Sequence, residues 1–198
     1  MSDLFARLAA HYHAGHEAPA PELWPDPRTR RIDVFKPASV LMAVTDRAAD
    51  PGLLLIHRPT TMRAHPGQVA FPGGRREAGE SVVEAALREA DEELGIPPDQ
   101  VRVIGATDIY RTGTGYEVTP VLALVPPDLP LAPNPHEVAQ WFEAPLAHLL
   151  DPANHAVGTM DIGGEKRRYV EIDWQGHRIW GVTGAILANL AKRLKWNG

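Results

Sequence analysis

Residues 74–96 read GRREAGESVVEAALREADEELGI, and the fold is built around them. Ser81 followed by Glu84 is a capping-box pattern, in which each side chain takes up a backbone N–H that the first helical turn leaves unpaired. Val83, Leu87, Ala90 and Leu94 recur at helical spacing and predict a stripe facing the core. Gly95 stands where a helix is expected to stop in the left-handed conformation. The spacing therefore predicts a helix over 81–94. At ~100° per residue, Glu89, Glu92 and Glu93 fall within an arc of about 100° on that helix. Carboxylates crowded in this way repel one another and cost helix stability. A hard divalent cation relieves the crowding. Mg²⁺ or Mn²⁺ suits it, because both take oxygen ligands and also bind substrate phosphates.

Just upstream lies Phe71-Pro72-Gly73-Gly74, whose glycines allow close approach of backbone to a ligand or a positive φ. The whole run is Gly74, five residues, Glu80, seven residues, Arg88-Glu89-Ala90, one residue, Glu92-Glu93, one residue, Gly95-Ile96. It resembles the Nudix box, G-x5-E-x7-R-E-U-x-E-E-x-G-U with U a bulky aliphatic, and all seven fixed positions match. At roughly 7% usage per residue type, such a match arises by chance on the order of once in 10⁸ starts. Ala90 is smaller than the usual aliphatic residue at its position.

The resemblance implies an α/β fold, a Nudix-type α/β/α sandwich with a mixed sheet flanked by helices. It implies hydrolysis of a nucleoside diphosphate linked to another moiety, with Mg²⁺ or Mn²⁺ as cofactor. It also implies site roles: Glu89 and Glu93 as the main metal ligands, Glu80 and Glu92 holding further metal or its waters, and the carbonyl at about Gly73 completing the shell. Arg88 orients a neighbouring glutamate, a role compatible with a structural salt bridge. The general base is left open between Glu92 or Glu93 in the box and a glutamate outside it, for which Glu137 is the first candidate and Glu117 and Glu143 follow.

Upstream of the box, Leu54-Leu55-Ile56-His57-Arg58-Pro59 is followed in register by Arg63, Gly67 and Phe71-Pro72-Gly73-Gly74. This is similar to the second signature of coenzyme A pyrophosphatases, L-L-T-x-R-[SA]-x3-R-x3-G-x3-F-P-G-G, with Ile56 and Pro59 as departures. The resemblance implies coenzyme A or its acyl or oxidised derivatives as the small-molecule substrate, with Arg58, Arg63, Gly67 and Phe71 at its site. Guanidinium groups bind phosphates bidentately and stay charged, which suits a substrate with a diphosphate and a 3′-phosphate. His57 and His65 are further candidates for phosphate contact. Many ADP-ribose-hydrolysing relatives carry a proline a short way past the box, where this chain reads Tyr110-Arg111-Thr112. ADP-ribose or a dinucleotide as substrate, and a binding module without catalysis, are the alternatives.

Composition narrows the partners. Lys and Arg number 20 against 25 Asp and Glu, a net charge of −5. No basic stripe is present, only the short pieces Arg28-Thr29-Arg30-Arg31 and Lys166-Arg167-Arg168, so no nucleic acid and no membrane surface is expected as a partner. With no cysteine, disulfides, zinc–thiolate sites and cysteine nucleophiles are excluded. The apolar runs Val40–Val44 and Val121–Val125 are far shorter than a membrane span. Met1-Ser2-Asp3-Leu4 lacks the basic and apolar parts of a signal peptide, so a cytoplasmic protein is expected.

The remaining elements are expected as a helix over 3–12, strands over 39–45, 53–56, 68–71, 101–110 and 117–125, a short helix over 144–150, a hairpin of 168–174 with 177–180, and a closing helix over 182–194. Residues 1–198 are expected to form one domain, with 1–30 as a helical extension and linker.

Overall fold

The computed structural model describes residues 3–61, 66–162 and 165–196. Strand β1 (Lys36–Thr45) is the middle of an eight-stranded mixed sheet. It runs parallel to a later strand, β7 (Tyr116–Val125), from Lys36 opposite Tyr116 to Thr45 opposite Val125. On its other side β1 meets two antiparallel partners, β2 (Gly52–His57) at one end and β4 (Gly73–Arg75) at the other. β3 (Val69–Ala70) and β8 (Gln140–Pro145) pair with β2, while β5 (Arg102–Ala106) and β6 (Tyr110–Arg111) pair with β7.

The central strands are apolar on both faces because both are covered. Leu41 and Ala43 of β1, with Leu54 and Ile56 of β2, meet Ala86, Ala90 and Leu94 of helix α2 (Val82–Leu94). Met42 and Val44, with Leu53 and Leu55, meet the opposite layer, made of α1 (Asp3–Glu17), α3 (Leu146–Leu150) and α4 (Gly181–Leu194). The result is the expected α/β/α sandwich. A second, antiparallel sheet of β9 (Ala156–Ile162), β10 (Glu165–Trp174) and β11 (His177–Trp180) packs on α4, which is buried along most of its length. Among the described residues no helix is long and apolar enough to cross a membrane.

α2 begins with both halves of the capping box, Ser81 with Glu84, and ends at Gly95 with φ 68°. Its buried line is Ala86, Ala90, Glu93 and Leu94, whereas Val83 and Leu87 are only partly buried against the same cluster. The alanines have no side chain long enough to hold the helix away from the sheet.

Several boundaries differ from expectation. The strand expected over 101–110 shifts register between Val103 and Gly105, then breaks, and Asp108 in the gap forms a bidentate pair with Arg193 of α4 at 2.7 Å for each bond. The helix expected from 144 starts at Leu146, because 140–145 pairs with β2 and alternates Phe142 and Ala144 inward. β9 was not foreseen; it is the third strand of the predicted hairpin.

Residues 3–30 are built into this packing. α1 extends to Glu17, and its Leu4 and Leu8 are buried in the main cluster. The Tyr12 hydroxyl donates to the Ala106 carbonyl, and Arg193 donates to the carbonyls of Gly15 and Ala18. The Asp26 side chain is fully buried and accepts from Arg28 Nε at 3.0 Å, Arg28 Nη2 at 2.7 Å and the Gly113 backbone N–H at 2.8 Å. Arg167 Nη2 of β10 lies 3.1 Å away. Asp26 thus ties the N-terminal segment to the β6–β7 turn and to the second sheet.

Burial alone would raise the Asp26 carboxyl, but the bonds from Arg28 and Gly113 and the charge of Arg167 outweigh it and hold it below its usual value. A depressed carboxylate contributes stability that is present above its unfolded pKa and lost as pH falls through the folded one. Asp26→Asn should therefore lower stability by about 3 kcal/mol at neutral pH, and by much less at an acid pH below the folded carboxyl's own pKa. Urea denaturation of both proteins at the two pH values measures the difference.

Candidate active site

Three elements meet at the site: the C-terminal half of α2, strand β4, and the loop leading to β8. Glu93 enters the interior because Ala90 and Leu94 do, and it is only 2% exposed. Its Oε2 accepts the Gly73 backbone N–H at 2.9 Å. Glu89, one turn earlier, lies against Gly74. A Cβ built there would meet both Glu89 carboxylate oxygens at 2.5 Å. Gly73 has φ +154°, and a Cβ on it would meet the Ser39 carbonyl oxygen at 2.5 Å. The two glycines are thus required by the helix carboxylates on one side and by β1 on the other.

The third acid arrives from far along the chain. Ala132 N–H donates to the Leu94 carbonyl at 2.8 Å and Asn134 N–H to the Glu93 carbonyl at 2.9 Å, which fastens this loop to the end of α2. Glu137 follows, its N–H donating to the Asn134 carbonyl. Carboxylate oxygens of Glu89, Glu93 and Glu137 lie within 4.8 Å of one another.

At that separation two ionised carboxylates repel by roughly 3 kcal/mol at an effective dielectric of about 20. The pKa shifts follow. Burial pushes Glu93 up to about 8, helped by Glu89 and Glu137 and opposed by the Gly73 N–H and the charge of Arg58. Burial also raises Glu89, against the pull of Arg88. Three carboxylates this close are a donor set that suits a hard divalent cation, and Mg²⁺ or Mn²⁺ fits it.

Glu80 and Glu92, expected to hold further metal or its waters, are bonded to Arg88 and are not among the three clustered acids. Arg88 Nε donates to Glu80 Oε1 at 2.7 Å, and its Nη1 reaches Glu92 Oε2 at 2.9 Å and Glu89 Oε1 at 3.0 Å. Nη2 donates both to Glu80 Oε2 at 3.2 Å and to the Arg75 carbonyl at 3.1 Å. The guanidinium fork therefore holds Glu80 and the exposed Glu92 outside the three-acid cluster and orients Glu89 within it. Glu137, expected as a base outside the box, joins the cluster instead of standing apart. Glu117 pairs with Arg111, and Glu143 accepts from Thr45 and Arg47.

A cavity of about 350 Å³ opens on the cluster. Arg58 stands in its wall, with its Nε buried and, among the described residues, without a hydrogen-bond partner. Phe71, 3% exposed, is part of the same wall. Gly67 is not in the wall. Its φ of 68° makes the turn that lets its N–H reach the Arg58 carbonyl, while Arg58 N–H reaches the Gln68 carbonyl. Arg63 and His65 lie outside the described residues. His57 is held by His177, Nε2 to Nδ1 at 2.8 Å, with His177 stacked on Phe142, and it does not line the cavity. Sequence reasoning missed the α4 contribution of Val182, Thr183 and Ile186 to the wall, and the contribution of Arg75.

The raised Glu93 pKa carries a testable sign. A carboxyl whose folded pKa lies above its unfolded value of 4.5 costs stability as pH rises toward about 8. In chelator, Glu93→Gln should melt at least about 4 °C above the unsubstituted protein near pH 9 and close to it near pH 5. Adding Mn²⁺ should raise the melting temperature of the unsubstituted protein and leave the variant unmoved, as differential scanning fluorimetry can check.

Comparison with known proteins agrees with the geometry. A family model described as NUDIX domain matches residues 35–160. The chain is 39% identical over 172 residues to the protein named Uncharacterized Nudix hydrolase NudL from Photorhabdus laumondii subsp. laumondii, covering 86% of this chain and 91% of that one. It is 43% identical over 159 residues to the protein of the same name from Cronobacter sakazakii, covering 79% and 82%. Among solved structures its fold is similar to DR0079 from Deinococcus radiodurans, with a TM-score of 0.52, 18% identity, and 81% and 83% of the two chains covered. It is also similar to the Nudix hydrolase RenU from M. smegmatis, with a TM-score of 0.50, 26% identity, and 59% and 74% covered. A complete box, an α/β/α sandwich that folds it into an acidic pocket, and relatives at this level of identity make the chain a member of the Nudix hydrolase family.

Proposed function

We propose that this Nudix hydrolase cleaves the diphosphate bond of coenzyme A and its acyl or oxidised derivatives, releasing 3′,5′-ADP and 4′-phosphopantetheine. The observation that carries the reading is the position of Arg58. It comes from the segment that resembles the coenzyme A pyrophosphatase signature, and it lies in the cavity wall with its charge acting on Glu93. Among the described residues its buried Nε has no acceptor, which leaves that N–H for a phosphate oxygen, and a guanidinium binds phosphate in a planar fork.

Glu89, Glu93 and Glu137 would hold the divalent cation, with the Gly73 backbone next to them. When bound, such a cation polarises phosphoryl oxygens and lowers the pKa of water. Arg58 fixes the diphosphate against the cluster. Arg88, saturated by three carboxylates, keeps Glu89 aimed at the same point. Glu137 is also the proposed base, through the carboxylate oxygen it would not give to the cation: it would accept the proton of the water whose oxygen attacks phosphorus as the P–O–P bond breaks. The reading includes a cytoplasmic enzyme acting on a small molecule through a single domain spanning residues 1–198.

Chromatography of products from coenzyme A, ADP-ribose, NADH and diadenosine polyphosphates, each with Mg²⁺ or Mn²⁺, tests this. The expected result is 3′,5′-ADP from coenzyme A in preference to all others, with kcat/KM reduced about 100-fold in Arg58→Ala. Preferential cleavage of another diphosphate overturns the coenzyme A reading. Absence of metal-dependent turnover on every substrate favours a binding module.

A further inference from the structure

The cavity wall contains a second cation that the diphosphate does not need. Among the described residues, the cationic side chains lining it are Arg58 and Arg75. Arg58 belongs to the carboxylate end, where its charge reaches Glu93. Arg75 is exposed, and among the described residues its guanidinium has no ion-pair partner. The other arginines of this stretch are engaged: Arg88 with Glu80, Glu89 and Glu92, and Arg76 with the Glu80 carbonyl.

Sheet register places Arg75. Gly73 lies opposite Val40 and Arg75 opposite Ala38, so Arg75 stands two residues, about 7 Å, outward from the glycine that contacts Glu93. Residues directly opposite, or two apart on one strand, share a face. Val40, Ala38, Val118 and Tyr116 all line the cavity, and Lys36 pairs with Tyr116 on that face. The Lys36 ammonium is 5.8 Å from the Tyr116 ring centroid, a contact that consumes none of its N–H donors. Arg75 in the pocket wall, and Lys36 two residues beyond Ala38 on the same face of β1 at the rim, therefore put positive charge on the outer side of the pocket, beside a tyrosine ring.

We propose that Arg75 and Lys36 form a second anion subsite that takes the 3′-phosphate of the nucleotide half of coenzyme A, and that this subsite distinguishes coenzyme A from nucleoside diphosphates lacking that group. The inference rests on the coenzyme A reading and deepens it. In that substrate one ribose separates the 3′-phosphate from the diphosphate, a spacing of the same order as two strand residues. A dianionic phosphate ester needs both charge and N–H donors, and Arg75 supplies a planar fork while Lys36 supplies a point charge.

The test compares kcat/KM for coenzyme A and for dephospho-coenzyme A, which lacks the 3′-phosphate. The unsubstituted enzyme should favour coenzyme A at least about tenfold. Arg75→Gln should lose at least about tenfold more on coenzyme A than on dephospho-coenzyme A, chiefly through KM because the 3′-phosphate is remote from the reacting bond. Arg75→Lys should keep part of the preference, and Lys36→Gln should shift the ratio in the same direction. Calorimetry in chelator gives a readout apart from turnover. The unsubstituted protein should bind 3′,5′-ADP more tightly than 5′-AMP, and Arg75→Gln should bind them alike. Equal use of both substrates by the unsubstituted enzyme, or equal losses on both in Arg75→Gln, overturns the subsite and leaves the coenzyme A reading standing. Cleavage of neither substrate overturns both.

Discussion

Glu93 is a carboxylate that folding takes out of water, and much of the site exists to accommodate it. Its neighbours Ala90 and Leu94 must face the sheet for α2 to be anchored, and helical geometry carries Glu93 inward with them. An isolated buried charge is costly, and two further carboxylates beside it make full ionisation without a counter-charge unfavourable. The protein supplies one backbone N–H and one guanidinium nearby, which leaves the carboxyl raised to about 8. The remaining compensation is work for a divalent cation, and the same ion is what a diphosphate substrate requires.

The rest of the fold keeps that arrangement open on one side. β4 is a short strand with two glycines because β1 and Glu89 close on it from opposite directions. The parallel pairing of β1 with β7 puts Ala38, Val40, Tyr116 and Val118 on one face and makes the floor of the pocket. The turn between β6 and β7, with Thr112 and Thr114 in the wall, is held from behind by Asp26 through Gly113. The N-terminal segment thus reaches the site indirectly, by bracing a loop. α4, packed between the two sheets, carries Val182, Thr183 and Ile186 to the remaining side, where the Thr183 hydroxyl donates to the Val69 carbonyl.

What could be read from the sequence was local. The capping box, the helix over 82–94 and the left-handed stop at Gly95 depend on neighbours a few residues away, and all three are present as expected. The strands of the central sheet were legible as apolar runs because both faces are covered. β8 was missed because its inward residues are only Phe142 and Ala144, and the apolar but exposed Trp141 beside them breaks the period-two alternation before the strand ends at a proline. The division of the box glutamates was also out of reach. Helical spacing puts Glu89, Glu92 and Glu93 on one arc, yet it cannot show that Arg88 reaches back to Glu80 and draws Glu92 outward with it. Glu137 joins the cluster through backbone bonds to the carbonyls at the end of α2, a contact spanning some forty residues that no spacing rule encodes. Arg75 is a surface arginine in the sequence and acquires meaning only from its register against Ala38.

The central proposal is that Glu89, Glu93 and Glu137 hold the divalent cation of this Nudix hydrolase, with Glu80 and Glu92 held by Arg88 outside that group. A crystal structure of the protein grown with Mn²⁺, with anomalous diffraction recorded at the manganese edge, tests this directly. The account predicts an anomalous peak within ligand distance of the Glu89, Glu93 and Glu137 carboxylates, about 2.1–2.3 Å from their oxygens. A peak held by Glu80 and Glu92 with Arg88 displaced, or no peak at the three-acid cluster, would contradict it.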